Sequence, residues 1–199
     1  MMNSIAIFCG SALGSDPVYL QAAQLAGKTL AQHGIALVYG GGRSGLMGMV
    51  ADSALQAGGK VIGVIPKQLV DRELAHPHLT ELHVVENMHQ RKTLMSELSD
   101  GFIAIPGGAG TLEEIFEQWT WAQLGIHLKP CAFLNTAGFY DDLLKFVQMT
   151  ADKGFTHQRF SSGLVVSESI EEILAQFKDY QPPQPKWGIA DQQDLVKQA

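Results

Sequence analysis

Phe102-Ile103-Ala104-Ile105-Pro106-Gly107-Gly108-Ala109-Gly110-Thr111-Leu112-Glu113-Glu114 passes from an unbroken apolar run, through a proline and three glycines, into a stretch with helical spacing. Continuity of apolar residues, rather than alternation, suits a strand buried on both faces. Pro106 ends that strand, and the glycines lead directly to a helix predicted over 111–124. A strand, a glycine turn and a helix in immediate succession make the repeating unit of an open parallel sheet.

The unit recurs on both sides of this stretch. Apolar runs of the same kind lie at 5–9, 36–39, 61–65, 131–134 and 164–166, with 83–85 as a weaker candidate. Helical spacing is predicted over 17–32, 44–57, 89–99, 140–153 and 169–177. Asp16-Pro17 reads as an N-cap followed by proline at the first helical position, and Ala57-Gly58-Gly59 as a helix stop. The expected class is therefore α/β: a Rossmann-like, doubly wound parallel sheet with helices on both faces. A chain of 199 residues fits one domain, predicted over 1–180, with a proline-bearing polar tail over 181–199 that is mobile or laid along the surface.

Composition narrows the function. With 46% hydrophobic and 17% charged residues the chain is expected to fold, and at this size it needs no disulfide or structural metal to do so. A net charge of −6 argues against nucleic acid or an anionic membrane as the main partner, because both require a basic face. Cys9 and Cys131 each sit inside an apolar run and read as buried thiols. No apolar run approaches the ~18 residues of a membrane span, and no leader pattern follows Met1, so a cytoplasmic location is expected.

Glycine is in excess, 21 residues of 199 against a usual ~7%, and most fall just after predicted strands. Gly10 and Gly14 follow the first, Gly40, Gly41, Gly42, Gly45 and Gly48 the second, and Gly107, Gly108 and Gly110 the fifth. At the carboxyl edge of an open α/β sheet such turns let backbone amides approach an anion. Tight turns and close helix packing also use glycine, but three such turns together favour a phosphate-bearing ligand. Gly40 to Gly45 formally matches G-x-G-x-x-G, yet it follows the second strand and lacks the ribose-binding acid about 20 residues on.

Charged residues add to this picture. Thr111 is expected to open the helix after the third turn, offering its hydroxyl to an anion, with Glu114 on the same face. Thr-x-x-Glu is also a capping box, and Glu113 and Glu117 suit a helix dipole. Glu114 stands out because a carboxylate beside a phosphate cradle costs affinity unless it serves chemistry. Arg91 and Lys92 oppose the dipole of their own helix, so a compensating anion is expected, or bridges to Glu86 and Asp100. Glu73 lies in the longest loop, a solvated carboxylate or a ligand contact. His76, His78, His83 and His89 lie close in sequence without an Asp or Cys at ligand spacing, so no metal is expected. Trp119, Trp121, Met47 and Met49 read as core or subunit contact.

Phe8-Cys9-Gly10-Ser11, Tyr39-Gly40-Gly41-Gly42 with Gly45-Leu46-Met47-Gly48, Val64-Ile65-Pro66, Met88-His89-Gln90-Arg91-Lys92, Pro106 to Glu114 and Thr120-Trp121-Ala122-Gln123-Leu124-Gly125 together resemble the LOG family, cytokinin riboside 5′-monophosphate phosphoribohydrolases whose bacterial members were often labelled lysine decarboxylases. The resemblance runs from about Ile5 to Phe177. It implies a cofactor-free homodimer that hydrolyses the N-glycosidic bond of a purine nucleoside 5′-monophosphate, with adenine or an N6-prenylated adenine as base. It makes Arg91 and Glu114 the catalytic pair. It places Glu73, Arg91, Lys92, Gly108, Ala109, Gly110, Thr111, Leu112, Glu113, Glu114 and Thr120 at the substrate. Two rivals remain: a non-catalytic nucleotide or molybdenum-cofactor carrier, which uses a similar turn, and a decarboxylase. The decarboxylase would need pyridoxal phosphate on a lysine, and nothing singles out Lys60, Lys67, Lys92 or Lys129 for that.

Overall fold

Seven strands, β1 (Ser4–Phe8), β2 (Ala36–Tyr39), β3 (Val61–Pro66), β4 (Glu81–Val85), β5 (Phe102–Ala104), β6 (Cys131–Leu134) and β7 (Val165–Ser167), form the centre of the computed structural model, which describes residues 2–72 and 74–186. They pair in the order β4-β3-β2-β1-β5-β6-β7, every pair parallel. Ala6 sits in register with Val38 on one side and Phe102 on the other. The chain thus winds outward from β1 to β4, then returns to continue from β5 in the opposite direction. That reversal leaves a crevice beyond the carboxyl ends of β1 and β5, where ligands of doubly wound sheets bind.

Alternate residues of the strands feed two cores. Ile5, Ile7, Leu37 and Tyr39 pack under α1 (Pro17–Gln32), α2 (Gly45–Gln56) and α8 (Ile170–Lys178), while Ala6, Phe8, Val38 and Phe133 meet α4 (Met88–Glu97), α5 (Ala109–Leu124) and α6 (Asp141–Asp152). The expected α/β class, with helices on both faces, is the one observed. Asp16 does cap α1, its carboxylate accepting from the Val18 amide at 2.9 Å.

The departures from expectation have local causes. β4 begins at Glu81, two residues before the predicted start, because an edge strand has one unpaired side and does not need unbroken apolarity; Glu81, Leu82 and Val84 are all exposed. Two single-turn helices, α3 (Lys67–Val70) and α7 (Gln158–Ser161), are too short to show a period. Residues 181–186 lie along the surface: the Lys186 amide donates to Gln123 O at 2.8 Å, and Arg159 Nε donates to Gln184 O at 2.9 Å.

Candidate active site

A cleft of about 490 Å³ opens at the carboxyl edge of the sheet, over the crevice between β1 and β5. Cys9, Gly10 and Ser11 follow β1 into its wall, Gly40, Gly42 and Ser44 follow β2, and Gly108, Ala109, Gly110 and Thr111 follow β5. The first and third glycine turns are tied together by the Gly10 amide, which donates to Pro106 O at 3.1 Å. The glycine turns after the first, second and fifth strands therefore converge on one space.

The start of α5 differs from its prediction. The helix begins at Ala109 with Gly108 as its cap, and no side chain caps it. Thr111 is consequently a buried residue inside the first turn, no Thr-x-x-Glu capping box forms, and the carboxylates of Glu113 and Glu114 fall beyond the first turn. The first amides of a helix have no intrahelical acceptor, and those of Ala109, Gly110 and Thr111 belong to residues that line the cleft. A Cβ added at Gly108 or Gly110 would meet nothing within 4 Å. The fold does not demand glycine at these two places, whereas an anion approaching the backbone would.

Opposite this turn stands a buried ion pair. Arg91 Nη1 lies 3.1 Å from Glu114 Oε1, and the two residues are 8% and 9% exposed. Arg91 Nε donates to the Val64 carbonyl at 3.1 Å, which steers the guanidinium across the end of β3. It passes over Gly40, where an added Cβ would sit 1.8 Å from Nη2, so any side chain at that position would expel it. Burial raises the Glu114 carboxyl above its ordinary value, the Arg91 guanidinium opposes that rise, and nearby Glu113 reinforces it. Burial and the Glu114 charge also raise the Cys9 thiol on the cleft floor, with Arg91 in opposition, which keeps it protonated and a poor nucleophile.

Lys92 faces away from the cleft. Its ammonium is bound by Glu113 and, at 3.0 Å, by Glu117, both on α5. Burial would lower the Lys92 pKa, but these two carboxylates raise it above its usual value. The bridges weighed to Glu86 and Asp100 are not the ones formed. Leu112 packs into the second core, and Thr120 is exposed further along α5; neither lines the cleft. Glu73 lies outside the described residues. Of the expected site residues, the structure brings together Arg91, Gly108, Ala109, Gly110, Thr111 and Glu114.

One wall was not foreseen. Met47, Ile65, Leu69 and Leu74 give the side away from α5 an apolar lining. Its one signal in the sequence is a pair of leucines after β3, and their partners come from α2 (Met47) and β3 (Ile65). Trp119 is half-buried and donates its indole N–H to Phe160 O at 3.3 Å. Among the described residues no group of three or more His, Cys, Asp or Glu could hold a metal ion, and no helix is long and apolar enough to cross a membrane.

A family model described as "Possible lysine decarboxylase" matches residues 47–177. A cytokinin riboside 5′-monophosphate phosphoribohydrolase of Rhodococcoides fascians is 48% identical over 87% of this chain and 88% of its own. The enzyme of that name called LOG in Oryza sativa subsp. japonica is 45% identical over 89% of this chain and 74% of its own. Among solved structures, the molybdenum cofactor carrier protein of Chlamydomonas reinhardtii superposes with a TM-score of 0.68 at 21% identity, over 90% of this chain and 98% of the carrier. Likeness at that identity shows a shared fold.

Proposed function

The chain belongs to the LOG family, and we propose that it hydrolyses the N-glycosidic bond of purine nucleoside 5′-monophosphates, with adenine or N6-prenylated adenine as base. The observation that carries this reading is the buried Arg91–Glu114 pair facing the uncapped amides of α5 across one cleft. Those amides, from Gly108 to Thr111, hold the 5′-phosphate without using a lysine. The ribose then lies over the ion pair, and the base lies toward Ile65, Leu69 and Leu74.

In the reaction the bond from the anomeric carbon to the base nitrogen breaks, a bond from water oxygen to that carbon forms, and the base leaves with a proton. Positive charge builds on the ribose as the bond stretches. Glu114 is placed to stabilise that charge or to take the proton from water, and its raised pKa brings it nearer to the range where a general base works best. Arg91 keeps the carboxylate ionised and in register with the ribose.

Two finer points belong to the same proposal. Residues 1–180 act as one catalytic domain, cytoplasmic and without resident cofactor, metal or nucleic-acid partner, a reading supported by the unpaired buried thiols Cys9 and Cys131. Two copies form a homodimer, supported by the exposed apolar Leu82 and Val84 of edge strand β4. A decarboxylase needs a lysine at its cofactor, and no lysine lines the cleft among the described residues. A carrier needs the cradle but has no use for a buried Arg–Glu pair beside it.

Incubation with AMP and with N6-isopentenyl-AMP, followed by chromatography, tests the reading. Free base and ribose 5-phosphate are expected. Their absence from a folded, nucleotide-binding preparation would overturn the enzyme and leave the carrier, and sedimentation tests the dimer separately.

A further inference from the structure

A second buried polar pair lies behind the cleft wall, and the reaction just described does not use it. His76 is 6% exposed, and its Nε2 lies 3.0 Å from Asp52 Oδ1 on α2. Its Nδ1 accepts the backbone N–H of His78 at 3.2 Å. A ring nitrogen that accepts an N–H carries no proton, so the tautomer that fits both contacts donates from Nε2 to Asp52. The ring is tied down at both nitrogens.

The backbone beside it is stitched to the second glycine turn. The His76 amide donates to Gly41 O at 2.9 Å, the Arg43 amide donates to Leu74 O at 3.0 Å, and Ala75 forms an isolated antiparallel bridge with Gly42. Leu74 and Gly42 both line the cleft. The segment from Leu74 to His76 is therefore part of the apolar wall, yet it belongs to no helix or strand that would hold it there. The only side chain fixing it to a helix by a hydrogen bond, among the described residues, is His76.

We propose that His76 and Asp52 are positioning residues: their hydrogen bond sets the distance between the Leu74 wall and the Gly40–Gly42 turn, and so the room left for the purine base. This rests on the nucleotide reading above, which places the phosphate at α5 and the base at the wall. Neither residue touches the substrate. Their effect is on how well the base is held, and the bond-breaking geometry at Arg91 and Glu114 is left as it was.

The test uses the full chain with Asp52→Ala, Asp52→Asn, His76→Ala and the double alanine variant, read by amide exchange across 74–80 and by steady-state base release from AMP. Asp52→Ala and His76→Ala are expected to speed exchange about tenfold and to raise KM five- to tenfold with kcat within twofold. Asp52→Asn keeps the Oδ1 acceptor and should stay within twofold of the parent, and the double variant should be no worse than either single one. Unchanged exchange and KM in Asp52→Ala would overturn the proposal, as would a fall in kcat that Asp52→Asn shares. Asp52 is only half-buried on α2, so its variants report even if His76→Ala fails to fold. A parent protein that releases no base would refute the proposed function alone, because amide exchange still judges the clamp.

Discussion

Arg91 and Lys92 are adjacent, each 8% exposed, and each bound by carboxylates of α5, yet they stand in different surroundings. Arg91 has one partner, Glu114, in the wall of an open cleft. Lys92 has two, Glu113 and Glu117, on the far side of the same helix pair. Consecutive residues on a helix point about 100° apart, so one step along the chain separates a pair exposed to a ligand from a brace between helices. The two cations are alike in burial and in sign of charge. What differs is that the cleft-side carboxylate has a raised pKa and a space in front of it.

The comparison is broken most severely at Glu114. Glu114→Gln is expected to lower base release from AMP roughly a thousandfold while nucleotide binding survives, as measured by chromatography and calorimetry. Retained turnover would take Glu114 out of the mechanism. The same variant sharpens the electrostatic claim. A raised folded-state pKa means that the native protein holds a proton which the unfolded chain releases, so stability falls as pH rises from the ordinary value of 4.5 toward the raised one. That slope in melting temperature should disappear in Glu114→Gln.

Arg91→Ala comes next, with a loss of roughly a hundredfold in kcat/KM from misplacement of substrate and carboxylate. Because Arg91 holds the Glu114 pKa down, its removal should move the acid limb of the pH–rate profile to higher pH. Denaturant unfolding should show a cost of about 3 kcal/mol for leaving the carboxylate buried alone. An unmoved acid limb would show that the two groups do not act as a pair.

Two smaller effects ask which group holds phosphate. Gly110→Ala adds a methyl into open space and improves helix propensity, so its melting temperature should hold or rise while affinity for AMP falls about tenfold. Lys92→Met should leave affinity within about twofold and cost about 1 kcal/mol of stability, since Glu113 is largely exposed and its pairing is screened. A tenfold loss of affinity in Lys92→Met with none in Gly110→Ala would reverse the roles assigned to lysine and amides.

Much of the fold was legible because its signals are local. The apolar runs that became β1, β2, β3, β5 and β6 are continuous for the reason that helices cover both faces of those strands, whereas β7, at the far edge, is buried on one face only at Val165. β4 was the faintest, since an edge position relaxes that demand. The start of α5 was misplaced by two residues: Thr111 and Glu114 have the spacing of a capping box, and only the observed helix shows that Gly108 takes the cap. Arg91 and Glu114 were both singled out as charges that their own helices do not explain. That they explain each other is a fact of how α4 and α5 cross.

The sequence by itself determined the alternation of strands and helices, the gathering of glycine at the carboxyl ends of strands, and the chemical groups available there. These follow from spacing within a few residues, where backbone geometry dictates direction. Tertiary structure alone decided that Glu114 rather than Glu113 meets Arg91, that Lys92 turns away, that Leu69 and Leu74 complete the cleft, and that His76 finds Asp52 across 24 positions of chain. Each of these choices depends on the relative placement of segments far apart in sequence. Ångström-scale packing of one element on another sets that placement, and no local pattern records it.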